Sequence, residues 1–386
     1  MRRTATLIAV LAVAGLGWWT RAAADDPEPC PCGDSYASGS YSGGSNTGGD
    51  DFWTSARRAR WQHGPDGCPQ PAINYFDPHG RWYVAADGIA LKRDPSDERP
   101  IATRDTATDV VLSTSDLRGE FEGGLRLLVG RQLSERWAIE GSYFGLTTWR
   151  AQAAVRDSTL NADGTLGNLF SPFSGFGDPA VVGLDFNSLA SINNTSSLDN
   201  FELNVRQRVD LPASQLGAYM LYGVRFMNLR ERFEYRTESA SPAPGGSINA
   251  IAVETDNDAV GFQLGSALEW RVEERGWITV EMKGVVAHNN ADQATVGDLS
   301  GIAAVAGARG ESRTTFVGDL SVAAMYQFTP RLLGRIGYQS IWVDGVALAS
   351  ENLEADPNVL TLGPPRLVHD GSVVYHGPFA GLTLTW

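Results

Sequence analysis

Three sets of side chains in this 386-residue chain have types and spacings that suit chemistry. The first is Asp256, Asp258 and His288. Carboxylates beside an imidazole can activate a water for hydrolysis, and pairing of adjacent strands would bring Asp258 to His288. No protease motif surrounds them, and acidic loops with scattered histidines create such neighbours by chance. No enzyme is expected. The second set is Cys30, Cys32, His63 and Cys68, whose spacing matches none of the usual zinc patterns. Cysteines of an exported chain more often pair with each other, so neither a metal nor any other cofactor is expected. The third and largest set is Glu122, Arg126, Glu140, Glu202, Arg206, Arg225, Glu269, Glu281, Lys283, Asp319 and Arg335, set one by one into otherwise apolar segments. Gathered on the inside of a tube they would either line an ion-selective pore or form a paired network that fills it, because buried charge must find a partner. The mixed signs favour the network.

What must position those charges is a set of strands. Ten segments alternate apolar and polar residues with period two and keep charge on one face. They lie near 82–91, 120–130, 137–149, 201–208, 218–229, 260–270, 278–283, 316–327, 335–342 and 377–386. In the third, Trp137, Ile139, Tyr143 and Trp149 are expected outward against Glu140 and Ser142. In the fifth, Met220, Tyr222, Val224 and Phe226 face away from Arg225. Most of the ten carry an aromatic on the apolar face near an end, as an interfacial girdle requires. The spacing predicts an all-β fold: a single antiparallel up-and-down transmembrane β-barrel of about ten strands.

The connections take turns in length. Short ones fall around 132–135, 273–276 and 329–331, and long ones around 92–117, 151–199, 237–255, 288–312 and 344–372. Outer-membrane barrels alternate periplasmic turns with long outer loops in this way, and an even strand count leaves both ends in the periplasm. The long loops are acidic. Asp157, Asp163, Asp178, Asp185 and Asp199 face only Arg156 in one, and Asp344, Glu351, Glu354, Asp356 and Asp370 face only Arg366 in another. Such a rim would attract cations or serve adhesion, although solubility alone explains it.

The two ends of the chain agree with this layout. Arg2 and Arg3 precede an apolar run that is too short to span a membrane, and Ala22-Ala23-Ala24 offers a cleavage site. Residues 1–24 therefore read as a signal peptide. Residues 25–80 read as a flexible Gly/Ser-rich periplasmic tether, and residues 81–386 as the barrel. The tether's Arg57-Arg58-Ala59-Arg60 suits contact with an acidic cell-wall polymer or membrane surface, or simply a solvated segment, while the long outer loops would suit surface-layer attachment. The chain ends Gly377-Pro378-Phe379-Ala380-Gly381-Leu382-Thr383-Leu384-Thr385-Trp386. That ending resembles the C-terminal signal read by barrel-assembly machinery, with Gly381, Leu384 and Trp386 in the marked positions and Phe379 where a polar residue is usual. A net charge of -14 argues against nucleic acid as a partner. Membrane lipid and the assembly machinery are the expected partners.

Residues 81–386 also resemble a family, the planctomycete-type outer-membrane barrels called beta-barrel porin family seven. The resemblance rests on Trp82-Tyr83-Val84-Ala85-Ala86-Asp87, Gly223-Val224-Arg225-Phe226-Met227-Asn228-Leu229-Arg230-Glu231 and Gly337-Tyr338-Gln339-Ser340-Ile341-Trp342-Val343-Asp344-Gly345-Val346-Ala347-Leu348-Ala349. It implies location and architecture: a cell-envelope barrel with a structural or surface role or limited passive solute passage. An adhesin acting through its outer loops is the alternative, and a ten-stranded outer-membrane protease is a remote one.

Overall fold

The computed structural model describes residues 61–63, 69–71 and 82–386, apart from 95–97, 106–107, 163, 165, 212–214, 240–246, 301–303, 357–358 and 360–365. The chain divides into two compact units, Met1–Asn74 and Tyr75–Trp386. In the first, β1 (Trp61–His63) pairs antiparallel with β2 (Pro69–Pro71), inside the stretch read as tether. The expected signal peptide and the rest of the tether lie outside the described residues.

The second unit is built on a closed ring. Its strands are β3 (Trp82–Arg93), β6 (Phe121–Gln132), β7 (Trp137–Gly145), β10 (Leu189–Val209), β11 (Leu216–Glu238), β12 (Ile248–Arg271), β13 (Gly276–Asp298), β14 (Val305–Thr329), β15 (Leu332–Val346) and β16 (Gly371–Thr385). Each pairs antiparallel with the next, and β16 pairs with β3. Reciprocal backbone bonds of 3.0 Å between Trp82 and Trp386 close the seam. Closure satisfies the strand edges of the ring, which is what lipid-exposed backbone demands; beyond the ring, β14 before Phe316 pairs only with β13 among the described residues. Among the described residues no helix is long and apolar enough to cross a membrane.

One strand departs from simple alternation. β8 (Thr148–Arg156) prolongs β7 along the same side of β10, but the five residues from Phe144 to Thr148 oppose the four from Asn200 to Ser197. This is a bulge, with Leu146 at φ 64. The extra residue reverses the side-chain parity. Trp149, expected outward, is therefore buried inside; its Nε1 donates to the Leu91 carbonyl at 2.6 Å and its ring lies 4.6 Å from that of Tyr375.

The long connections are shorter than the sequence suggests. Strands β10 to β14 run 21 to 25 residues, about twice the ~9–11 that a tilted strand needs to cross a bilayer. They continue into the segments read as loops around 151–199, 237–255 and 288–312. Alternation persists there but its sense is reversed. On β11, Met220, Val224 and Phe226 are exposed in the lower part while Arg225 is buried; further along, Arg230, Arg232 and Arg236 are exposed while Phe233 and Tyr235 are buried. The same reversal occurs on β12, from exposed Val260, Phe262 and Leu264 to exposed Glu254 and Asp258 over buried Ile251 and Val253. Lipid selects an apolar exterior, and water beyond the headgroups selects a polar one. An expectation tied to apolar-outward strands therefore ends them too early.

The tall wall of β8 and β10 to β14 holds a cap against its inner face. β4 (Pro100–Arg104), β5 (Val110–Ser113) and β9 (Leu169–Phe170) form a small sheet. Its Ile101, Leu112 and Leu169 join Leu117, Phe173, Leu184 and Leu353 against Ile192, Phe233, Tyr235, Ile251 and Val253 of the wall in one apolar core. Several acids of the outer loops work within this structure rather than on a free rim. Asp185 is buried and accepts from the Ser171 and Val181 backbone amides at 2.9 and 2.7 Å and from Ser174 Oγ at 2.7 Å. Asp157 pairs with Arg104 of β4 at 2.9 Å. Burial acts to raise the Asp157 carboxyl, but hydrogen bonds from Thr159 and the Arg104 charge outweigh it and hold it below its ordinary range.

Candidate functional site

Inside the membrane-spanning part of the barrel, alternation delivers one inward side chain from every second position of each strand. Ten such rows converge on a narrow lumen. Its organising residue is Asp87, fully buried on β3. Arg335 of β15 grips the carboxylate with two bonds of 2.6 Å, from Nε to Oδ1 and from Nη2 to Oδ2, and Arg126 Nε of β6 adds a third of 2.6 Å. Arg126 continues to Gln339 Oε1 at 2.8 Å, and Gln339 Nε2 donates to Asp319 at 3.0 Å. Arg126 also lies 4.3 Å from the centre of the Phe379 ring. Phe379, unusual in a terminal signal, is thus an inward platform for a cation.

Asp319 passes the chain of bonds across the lumen. Arg225 bridges it to Glu202 at 3.1 and 2.7 Å. Glu202 is the second hub: it also accepts from Asn200 and Asn204 at 3.1 Å, Gln263 at 3.0 Å and Lys283 at 3.1 Å. Lys283 reaches Glu281 at 2.9 Å. Toward the short turns, Tyr83 donates to Glu140 at 2.7 Å, and Arg206 lies 3.4 Å from Glu140 and 3.8 Å from Glu269. Charge-assisted and bidentate bonds of this kind are the strong ones. In a low-dielectric interior each supports its neighbours. About 110 Å³ of free space remains among these side chains.

Ten of the eleven charged residues expected to face the lumen belong to these two groups. Glu122 is the exception: half-buried on β6 opposite Leu91, it joins none of their ion pairs among the described residues. Gln263 and Gln339, on the polar faces of their strands by alternation, join the two groups inside, whereas Asp87 and Tyr83 escape the sequence reading. Asp87 sits in Ala85-Ala86-Asp87-Gly88, where small residues on both faces blur the alternation. Counting the parity forward from Trp82 and Val84 as outward residues would have placed it inside. Asp256, Asp258 and His288 point out of the barrel wall, and His288 is paired in register with Val260, not with Asp258. They line no inner cleft. Among the described residues no group of three or more His, Cys, Asp or Glu side chains is arranged to hold a metal ion. Cys30, Cys32 and Cys68 lie outside the described residues.

The terminal strand ties into the same centre. Leu384 and Trp386 are exposed on its outer face. Gly381 faces in, and a Cβ there would lie 2.1 Å from Asp87 Oδ1 and 2.3 Å from the Ala86 carbonyl oxygen. Only glycine lets β16 approach Asp87 this closely.

Above the ionic lumen, the chain from β15 to β16 turns inward instead of outward. Gly345, at φ 83 and with Thr314 O 2.9 Å from where its Cβ would be, makes the bulge that redirects it. Ala347, Leu348 and Ala349 are then completely buried in the mouth. Asn257 clamps the Ala347 peptide, donating to its carbonyl at 2.9 Å and accepting from its amide at 2.8 Å. The Ala349 amide donates to Glu231, which pairs with buried Arg93 at 2.6 Å. Asn352 folds the plug on itself through Leu348 and Val368. This inward course corrects the expectation of an open outer loop over 344–372.

Residues 93–372 match the family model for beta barrel porin-7 (BBP7). The chain belongs to the beta barrel porin-7 family. Its members are thus expected to share a barrel spanning the outer membrane, and the ten-stranded ring has that architecture. A search of curated proteins finds no match. Among solved structures, the outer membrane protease OmpT of Escherichia coli is similar at 11% identity over 82% of this chain and 100% of that one, with a TM-score of 0.46. A major outer membrane protein of Thermus thermophilus is similar at 10% identity over 80% and 100%, with a TM-score of 0.30. The translocator domain of the Neisseria meningitidis autotransporter NalP is similar at 10% identity over 81% and 90%, with a TM-score of 0.30.

Proposed function

We propose that this beta barrel porin-7 chain is a sealed barrel of the outer membrane with a structural surface role, not a standing pore and not an enzyme. One observation carries the reading: an unbroken chain of side-chain bonds crosses the lumen from Arg335 and Asp87 to Glu281, with about 110 Å³ left over. The buried plug above it is a second barrier in series. A ten-stranded ring lies near the size that its own side chains fill, well short of the sixteen to eighteen strands that leave a channel. In this reading residues 1–24 direct export and 25–80 form a periplasmic tether, available to cell-wall contact. Gly381, Leu384 and Trp386 present the last strand to the assembly machinery.

Planar-bilayer recording tests the seal. Correctly folded protein is expected to give no stable unit conductance. Steady open-channel steps from the unaltered chain would instead support limited solute passage.

A further inference from the structure

The outer wall carries a groove that the sealed lumen does not explain. It has a volume of about 680 Å³ and lies on the exterior of β8 and β10 to β14. Strand register arranges it in rows of directly opposed residues. One row is Thr148, Ser197, Arg230, Asp256, Asp292 and Gly310. The next row outward contributes a floor of small side chains, Thr195, Ala294 and Ala308, beside Arg232 and Glu254.

Its height is set by the apolar belt. Phe201, Phe226 and Val260 are the last large apolar residues on the outer face before it turns polar, and a polar row of Asp199, Asn228 and Asp258 follows. The groove begins in the row after that. Four residues at ~3.3 Å each, on strands tilted ~40°, place it roughly 10 Å beyond the belt. That is the depth of lipid headgroups, not of bulk solvent.

The chemistry narrows the occupant. Arg230 is already held by Asp256 at 3.0 Å and Arg232 by Glu234 at 2.7 Å and by Glu254. Asp292 adds a further carboxylate, so the groove is not a phosphate site. Its apolar side chains are Ala294 and Ala308, with no large aliphatic or aromatic residue to hold an acyl chain. Hydroxyls of Thr148, Thr195 and Ser197 beside carboxylates and guanidinium edges offer donors and acceptors in alternation, over a floor small enough for a ring to lie flat. The volume is that of a small-molecule site. We infer that the groove binds the sugar headgroup of an outer-leaflet glycolipid, seated laterally from the membrane.

The test uses the full chain in phosphatidylethanolamine nanodiscs holding either lipopolysaccharide with its core oligosaccharide or the same lipid trimmed of core sugars. Lipid retained after extraction is counted by native mass spectrometry. The core-bearing form is expected to be retained at least tenfold more. Ala294→Trp and Ala308→Trp, which fill the floor, should reduce it to the trimmed level, and the milder Asp292→Asn should lower it several-fold. Unchanged heat-shifted gel mobility verifies folding of each variant. Equal retention of the two lipids, or wild-type retention by folded variants, would overturn the inference. Free core oligosaccharide should compete at least tenfold more weakly than the membrane-held form; equal competition would make a free surface polysaccharide the ligand and overturn the assigned source. None of these outcomes depends on whether the lumen conducts.

Discussion

The membrane-spanning half of this barrel and its outer half are built from the same strands with opposite sidedness. In the lower half the exterior is Val224, Phe226, Val260 and Phe262, and the interior is Asp87, Glu202 and Arg225. In the upper half the exterior is Arg230, Arg232, Glu254 and Asp258, and the interior is Phe233, Tyr235, Ile251 and Val253. A period of two says only that a strand has two different faces. The solvent on the outside decides which one is greasy, and that decision changes within two residues of Phe226. Polar atoms in the lower interior must therefore pair with each other, whereas the upper interior can pack like an ordinary water-soluble core.

Removing one member of each interior should separate the two kinds of core. Asp87→Ala leaves Arg126 and Arg335 uncompensated, and breaking a buried pair costs roughly 3–5 kcal/mol. Phe233→Ala leaves a cavity at a similar cost of about 3–5 kcal/mol. Urea unfolding in detergent should show both losses. Only the first should be rescued in part by neutralising the partners with Arg126→Met and Arg335→Met, since paired removal relieves the stranded charges.

Exchanging exteriors sharpens the contrast at lower amplitude. Val224→Lys puts a charge against lipid and should cost about 2–4 kcal/mol near the bilayer midplane. Glu234→Leu, the reverse exchange ten residues along the same strand, should stay within about 0.5 kcal/mol. Equal penalties in unfolding titrations would erase the distinction between the halves.

A smaller effect is expected at the seam. Gly381→Ala drives a methyl into Asp87 and should destabilise by about 1–3 kcal/mol through overpacking. Asp87→Gly removes the carboxylate but leaves the Ala86 carbonyl oxygen 2.3 Å away, so it should relieve only part of the cost of Gly381→Ala in a double-mutant cycle.

The smallest effect concerns the cap. Asp157 is held below its ordinary carboxylate range when folded. Its contribution is complete above the unfolded value of about 3.9 and is lost as pH falls through the lower folded value. Hydrogen exchange at residues 100–104 should accelerate only below about pH 4, and Asp157→Asn should remove that dependence.

Much of the lower half was legible because its outward aromatics and isolated inward charges reinforce one another; Met220, Tyr222, Val224 and Phe226 around Arg225 are enough to orient β11. The Leu146 bulge was not legible, since parity around Trp149 looks continuous and only pairing with β10 exposes the extra residue. The upper half was hidden for a different reason. The apolar-outward pattern stops near Leu229, and Arg230 to Arg236 continues the strand only if Phe233 and Tyr235 are allowed to face inward. The plug was concealed as well: Val346-Ala347-Leu348-Ala349 is an apolar run without a period, and nothing local says that Asn257 and Glu231 will receive it.

Sidedness and seal meet on β11, where spin labels placed singly from 220 to 237 and probed with oxygen and a water-soluble nickel chelate would test both. Even positions 220 to 226 should admit oxygen, even positions 230 to 236 should admit the chelate, and odd positions 221 to 233 should admit neither. Chelate reaching the odd positions along the strand, or oxygen favoured at the even positions throughout, would contradict the account.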